Sequence, residues 1–150
     1  YDILCFIELY GRLAVCDFNQ SLSQLGFAAS DFTRVPSLFE PCGLPQMVGQ
    51  LYGALPVVQD TGGLHDTVEH LDLAKDRGNG FVFKISDSRG LEWAMDKAME
   101  FHKQPSDVRQ RAVARIMSEG RARFNHETCA KRYIDIYEKM LKRPLVRSFE

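Results

Sequence analysis

The chain has 150 residues, of which 45% are hydrophobic and 26% are charged, and its formal net charge at pH 7 is -1. These proportions are those of an ordinary soluble globular domain, and the length suits one domain with a substantial core. The near balance of charge gives no reason to expect nucleic acid or a membrane surface as a partner, and no apolar run approaches the roughly 20 residues that span a bilayer.

The chain opens with a segment, Tyr1 to Leu9, that has the pattern of a helix rather than that of the first strand of a domain. No initiating Met precedes this segment. We therefore expect residues 1–150 to be a single domain that is a piece of a longer protein.

Residues 31–58 have the pattern of a strand, a turn, a helix and a second strand. Phe32 and Val35 belong to a short apolar strand, and Ala54 to Val58 form the next apolar run. Between them, apolar residues recur at helical spacing: Leu44, Met47, Val48, Leu51 and Tyr52. Pro45 suits the first turn of this helix and Gly53 its end, so the segment predicts a β-α-β unit of a parallel sheet.

A carboxylate and a glycine turn follow the first of these strands. The run Phe39-Glu40-Pro41-Cys42-Gly43-Leu44 ends where the helix begins, and Asp60-Thr61-Gly62-Gly63 follows the second strand. Ligands of open parallel sheets bind at the carboxyl ends of strands, so both loops should share one edge. A carboxylate beside free backbone N–H groups suits a sugar attached to a phosphate. The alternative is that Glu40 is a solvated loop residue and Thr61 to Gly63 an ordinary turn.

The rest of the chain has the pattern of scaffold. A final strand is predicted around Phe81 to Phe83 with Ile85, after the Asn79-Gly80 turn. Three helices should follow, the first capped by Asp87 or Ser88, the second ending near Gly120 and the last beginning at Asn125. Their apolar stripes are expected to be core: Leu91, Ala94, Met95, Ala98 and Phe101; Val108, Ala112 and Ile116; Ala130, Tyr133, Tyr137 and Met140.

Cysteine and histidine spacing argues against a metal site. The four cysteines, Cys5, Cys16, Cys42 and Cys129, form no C-x-x-C pair, which indicates a reducing compartment, and we expect the cytoplasm. The four histidines have no recognised ligand spacing and no Asp-x-Asp occurs, so we expect neither a metal nor another cofactor. Near a helix N-terminus, Cys42 is better interpreted as a small residue chosen for fit than as a nucleophile.

Asp31 to Val68, DFTRVPSLFEPCGLPQMVGQLYGALPVVQDTGGLHDTV, resembles the signature core of bacterial glycogen synthases and plant starch synthases. These are retaining glycosyltransferases of the GT-B fold. The resemblance extends more loosely from Arg12 to the C-terminal helix. It implies an α/β fold with a Rossmann-like parallel sheet flanked by helices, the C-terminal half of a GT-B enzyme without its first strands. The last helix would then cross back toward the acceptor-binding domain, which this chain lacks.

The resemblance also implies site residues. Glu40 would hydrogen-bond a hydroxyl of the donor glucose, as a substrate-positioning residue on which catalysis depends. The amides of Cys42, Gly43 and Leu44 would face the sugar and diphosphate. Thr61, Gly62 and Gly63 would approach the donor closely, although turn formation explains these glycines equally well. Phe18 would stack on adenine, with ordinary core packing as the alternative.

Two positions differ from related sequences, and both lie on the predicted helix. Pro45 stands where many family members have threonine, which removes a hydroxyl and an amide from the phosphate end. Val48 stands where E-x7-E glycosyltransferases have a second glutamate, which favours the glycogen synthase branch. Neither Arg12 nor Arg34 matches the family's Arg and Lys that neutralise the diphosphate, so we expect the isolated chain to be inactive.

The implied function of the full-length protein is glucose transfer from ADP-glucose to the non-reducing end of an α-1,4-glucan, with retention at the anomeric carbon. Two alternatives stay open. One is another GT-B transferase that uses UDP-glucose, and the other is a noncatalytic glucan-binding or interaction module. A dinucleotide dehydrogenase is disfavoured, because no G-x-G-x-x-G follows a strand.

Overall fold

The computed structural model describes residues 5–7, 12–14 and 19–142. The strands are β1 (Cys5–Ile7), β2 (Arg12–Ala14), β3 (Phe32–Val35), β4 (Leu55–Gln59) and β5 (Phe81–Phe83). The helices are α1 (Gln20–Ala29), α2 (Pro45–Tyr52), α3 (Gly62–Thr67), α4 (Ser88–His102), α5 (Ser106–Arg123) and α6 (His126–Leu141). No helix in these ranges is long and apolar enough to cross a membrane.

The helix predicted for Tyr1 to Leu9 is wrong. Cys5–Ile7 is a strand that pairs antiparallel with Arg12–Ala14, with Cys5 opposite Ala14 and Ile7 opposite Arg12. The error has a physical cause, because a three-residue strand is too short to display the alternation that distinguishes it from a helix, and its partner supplies the hydrogen bonds.

The predicted parallel sheet is confirmed. β3, β4 and β5 lie side by side in that order, and both pairs are parallel. β4 is central and all five of its residues are buried. Because neighbouring residues of a strand face opposite sides, Val57 joins one core cluster and Val58 the other. The first cluster lies against α4 and α5, and the second includes Leu64 of α3.

Local sequence rules locate the helix ends well. Pro45 occupies the first turn of α2, and Gly53 ends that helix in the left-handed conformation at φ 88°. The side chain of Asp87 accepts from the Gly90 amide, and that of Asn125 accepts from the Thr128 amide, so both act as N-caps as predicted.

The predicted apolar stripes match the core only in part. Ala94, Ala98 and Phe101 of α4 are buried, whereas Met95 is exposed. On α2, Leu44 and Tyr52 are exposed and the buried face carries Gln46, Gly49 and Gln50. On α6 no residue is buried, and its exposed apolar side chains form what we call the α6 face: Tyr133, Ile136, Tyr137, Met140 and Leu141.

Candidate functional site

The site lies where β3 and β4 end. Both strands run in the same direction, with Val35 paired to Val58, so the segments that follow them emerge at the same edge of the sheet. We call the segment 37–44, between β3 and α2, the acidic loop, and the segment 60–63, between β4 and the first turn of α3, the glycine loop. Both predicted ligand loops are thus brought together.

Glu40 is half-buried in the acidic loop, and its carboxylate is held from two directions. Oε1 accepts a hydrogen bond from the Gly43 amide at 3.0 Å, and Oε2 accepts one from the Ser37 hydroxyl at 3.5 Å. An ionised carboxylate has about four acceptor positions, so these two bonds leave capacity for a sugar hydroxyl. Glu40 is therefore fixed by its own loop while it remains able to accept from a ligand.

The acidic loop and the glycine loop touch through their backbones. The Gly63 amide donates to the Glu40 carbonyl oxygen at 2.9 Å. A Cβ on Gly62 would overlap that same carbonyl, and a Cβ on Gly63 would overlap the carbonyl of Cys42. Gly62 also has a positive φ of 45°. Close contact between the two loops is thus enough to explain why glycine is required at positions 62 and 63. Their approach to a donor stays a prediction.

The three amides predicted to face a ligand differ in their partners. The Gly43 amide is used by the Glu40 carboxylate. Among the described residues, the amides of Cys42 and Leu44 have no hydrogen-bond partner. Gly43 itself has a φ of 69°, the left-handed conformation in which glycine is favoured. The loop therefore offers two backbone donors, next to the N-terminal end of α2.

The acidic loop also carries exposed apolar side chains and an exposed thiol. Leu38 and Phe39 are 77% and 78% exposed, and Leu44 is 65% exposed. The Cys42 thiol is free and exposed as well. Exposed apolar side chains that adjoin one another are typical of interaction or ligand-binding surfaces.

Sequence reasoning missed the polar residues that hold the two loops in place. Gln46 is 0% exposed, and its Nε2 donates to the carbonyl of Gly43 at 2.8 Å and to the Thr67 hydroxyl at 3.0 Å. The Thr67 hydroxyl donates in turn to the Gly63 carbonyl at 2.5 Å. The available signal was the pair Gln46 and Gln50, four residues apart, which places both amides on one helix face.

A histidine and an aspartate form an ion pair beside the glycine loop. His65 Nδ1 lies 2.5 Å from Asp60 Oδ1, and the His65 side chain is largely exposed. The hydrogen bond to Asp60, and then the charge of that carboxylate, raise the pKa of His65 above its ordinary value of 6.5. The His65 imidazole therefore keeps its proton to a higher pH than a free histidine does.

Phe18, predicted to stack on adenine, lies outside the described residues. Thr61 is the N-cap of α3, and its side chain makes no capping hydrogen bond. Within residues 5–7, 12–14 and 19–142, no group of three or more histidine, cysteine or carboxylate side chains is arranged to hold a metal ion.

The sequence is similar to curated glycogen and starch synthases. It is 39% identical over 134 residues to a glycogen synthase of Desulforudis audaxviator (strain MP104C), covering 89% of the chain and 26% of the relative. It is 34% identical over 129 residues to the probable starch synthase 4 of Arabidopsis thaliana, covering 84% of the chain and 12% of the relative. The chain thus spans about a quarter or less of the length of these relatives. No protein-family model matches it.

The fold is similar to a solved structure described as the catalytic domain of starch synthase IV from Arabidopsis thaliana bound to ADP and acarbose. The TM-score is 0.73 at 32% sequence identity, and the match covers 85% of this chain and 26% of that one. The chain belongs to the glycogen and starch synthase family. This confirms the resemblance found in residues 31–68. It stays a prediction that a nucleotide-sugar donor contacts Glu40, Cys42, Gly43, Leu44 and the glycine loop in this chain.

Proposed function

We propose that the full-length protein transfers glucose from ADP-glucose to the non-reducing end of an α-1,4-glucan, with retention at the anomeric carbon. The observation that carries this proposal is that the Glu40 carboxylate lies in the same loop, at one edge of the sheet, as the amides of Cys42 and Leu44, which have no hydrogen-bond partner among the described residues. Family membership supports it, and so does the relative whose structure is described as bound to ADP and acarbose.

Such a transfer requires that the negative charge on the leaving diphosphate be stabilised. Backbone N–H groups that are fixed before the reaction stabilise this charge without reorganisation, and the N-terminal end of a helix adds a favourable dipole. The Cys42 and Leu44 amides, beside the start of α2, are suited to this task. Cationic side chains from outside residues 1–150 would complete it.

Glu40 has a separate task in the proposal. Its carboxylate accepts a hydrogen bond from a hydroxyl of the donor glucose and so fixes the hexose relative to the diphosphate. The Gly43 amide bound to Oε1 keeps the carboxylate in place before the donor arrives. Glu40 is thus a substrate-positioning residue. The acceptor hydroxyl attacks the anomeric carbon on the face from which the diphosphate leaves, and the leaving phosphate oxygen assists removal of the acceptor proton.

The α6 face is proposed to pack against the acceptor-binding domain of the same protein. Its five apolar side chains are each at least 49% exposed, and adjoining exposed apolar side chains are typical of an interface. Replacing Ile136 with Glu should therefore lower the melting temperature of the full-length protein, whereas the same change at exposed Lys139 should not. An equal, small effect of both changes would argue against this packing.

The test of the proposed function is a transfer assay on the full-length protein with radiolabelled ADP-glucose and UDP-glucose and a maltooligosaccharide acceptor. We expect extension of the acceptor with ADP-glucose as the preferred donor. Preference for UDP-glucose would assign the other donor class. Binding of glucan without transfer from either donor would assign a noncatalytic module.

A further inference from the structure

We propose that Gln46 is a positioning residue that aims the Leu44 amide at the donor diphosphate, and that Thr67 extends this control to the glycine loop. The inference rests on the proposed function and deepens it, because it names the side chain that orients the site's backbone. The Gln46 side chain is fully buried, although glutamine side chains are usually exposed to solvent.

The chemistry around the Gln46 amide fixes its orientation. The carbonyl oxygens of Gly43 and Cys42 lie 2.8 Å and 3.3 Å from Nε2. Both are acceptors only, so the NH₂ group and not the carbonyl of the side chain must face them. One of the two amide hydrogens is donated to the Gly43 carbonyl and the other to the Thr67 hydroxyl. The Cys42 carbonyl is a third, more distant acceptor of the same NH₂ group.

Because the peptide bond is planar, the hydrogen bond from Gln46 to the Gly43 carbonyl also fixes the direction of the Leu44 N–H. The carbonyl of Gly43 and the N–H of Leu44 belong to one trans peptide group, in which they point in opposite directions. Since Gln46 holds the Gly43 carbonyl toward the protein interior, the Leu44 N–H is directed away from it. That N–H has no partner among the described residues, so it is available to a ligand.

Thr67 connects the same side chain to the glycine loop. Its hydroxyl accepts from Gln46 Nε2 at 3.0 Å and donates to the Gly63 carbonyl at 2.5 Å. The Gly43 and Gly63 carbonyls are therefore joined through two side chains. The direct bond from the Gly63 amide to the Glu40 carbonyl closes this connection from the other side. A shift of either loop would thus strain the other.

Gln46 keeps this arrangement at a cost in stability. Its Oε1 atom is buried and has no hydrogen-bond partner within the described part of the chain, and such an atom lowers the stability of a fold. Methionine has nearly the same length and shape and lacks that unpaired oxygen. A Gln46→Met substitution therefore removes the positioning contacts and the unpaired oxygen together, and it also leaves the Gly43 carbonyl without this donor, so stability is measured beside function for each variant.

Gln50 provides a matched control on the same helix. It is also buried, and its Nε2 atom likewise has no hydrogen-bond partner in the ranges that the structure describes. Its Oε1 accepts from Asn79 Nδ2 at 3.0 Å, and neither loop of the site contacts its amide. Gln50→Met thus changes the same kind of side chain one helical turn away.

The experiment compares Gln46→Met, Thr67→Val, the double variant and Gln50→Met in the full-length protein, with ADP-glucose and a maltooligosaccharide acceptor. We expect Gln46→Met to raise the donor KM roughly tenfold, the loss of about one hydrogen bond to a charged group, with the acceptor KM unchanged. Gln50→Met should leave the donor KM within about twofold of the wild-type value. The double variant should resemble Gln46→Met, because both changes break one connected path.

Two results would overturn the inference. One is a donor KM of Gln46→Met that matches wild type, and the other is an equal rise for Gln50→Met. A crystal structure of Gln46→Met gives a readout that is independent of activity, since we expect the Gly43–Leu44 peptide to rotate. An unmoved peptide would contradict the positioning role. Failure of the wild-type protein to use either nucleotide sugar would instead count against the proposed function, and the peptide rotation would still decide the structural claim.

Discussion

The backbone amide of Gly63 donates to the carbonyl oxygen of Glu40 at 2.9 Å, which joins the loops that follow two neighbouring strands. The contact is possible only because Gly63 has no side chain, since a Cβ there would overlap the carbonyl of Cys42. The geometry of Glu40 thus depends on a residue 23 positions further along the chain.

Substitution of Gly63 by Ala should therefore separate the loops. We expect the free energy of unfolding to fall by about 1–3 kcal/mol, because the overlapping atoms belong to backbone and cannot move aside cheaply. Gly120→Ala is the control, since its Cβ would meet atoms only at 3.7 Å or beyond within a helix. Chemical denaturation of both variants measures this, and equal stabilities would contradict the packing.

Substitution of Glu40 should remove activity with little loss of stability. Glu40→Ala removes both the charge and the acceptor of the Gly43 amide, and we expect transfer to fall by a factor on the order of 10²–10³, with at most about 1.5 kcal/mol of stability lost. Glu40→Gln keeps the acceptor and should lose less. Ser37→Ala, which removes only the 3.5 Å bond, serves as control. Near-normal transfer by a folded Glu40→Ala protein would argue against the site.

The pKa values of two histidines should be shifted in opposite directions. Burial lowers the pKa of His70, whose ring is stacked on Trp93 and whose Nδ1 accepts from the Val82 amide, while Asp60 raises the pKa of His65. NMR titration should give His70 a pKa below 6.5 and His65 one above it. A value for His70 at or above that of His65 would contradict the structure.

The consequence for stability follows from linkage. Because the folded pKa of His70 is lowered, the unfolded chain binds the proton more readily. The contribution of neutral His70 to the free energy of unfolding is therefore fully present above pH 6.5. It is lost as the pH falls from 6.5 through the lower pKa that His70 has in the folded protein. A variant with Phe at position 70 should lose this acid-side dependence, which denaturation at pH 5 and pH 7.5 can measure.

Cysteine labelling can locate the donor without an activity assay. Cys42 and Cys129 are both free and exposed, but only Cys42 lies in the acidic loop. In a Cys5→Ser, Cys16→Ser background, we expect ADP-glucose at ten times its Kd to slow maleimide labelling of Cys42 about tenfold, because about one protein molecule in eleven stays unbound. Labelling of Cys129 should not change. Equal rates at Cys42 with and without the nucleotide sugar would place the donor elsewhere.

Elements with a local signal could be predicted from the sequence. Pro45, Gly53, Asp87 and Asn125 mark helix ends because their backbone or capping preferences act within a few residues. The apolar runs at 55–58 and 81–83 gave the buried strands. Glu40 and the glycine loop were predicted to share an edge, because parallel strands must end on the same side.

The remaining features depend on contacts that are distant in sequence. Gln46 is buried because its amide meets Thr67, 21 residues away, and Gln50 because it meets Asn79, 29 residues away. Periodicity treats both glutamines as solvent-facing, so the buried face of α2 was missed. Tyr133, Tyr137 and Met140 of the α6 face were expected to be core, and only the resemblance suggested that some of the apolar surface of this helix would be unpaired.

A crystal structure of the full-length protein with ADP-glucose bound would show directly where the donor lies. We expect a glucose hydroxyl within about 3 Å of the Glu40 carboxylate, and the Leu44 or Cys42 amide at hydrogen-bond distance from the diphosphate. A donor bound away from the edge formed by β3 and β4, or a Glu40 carboxylate turned away from the hexose, would contradict this expectation.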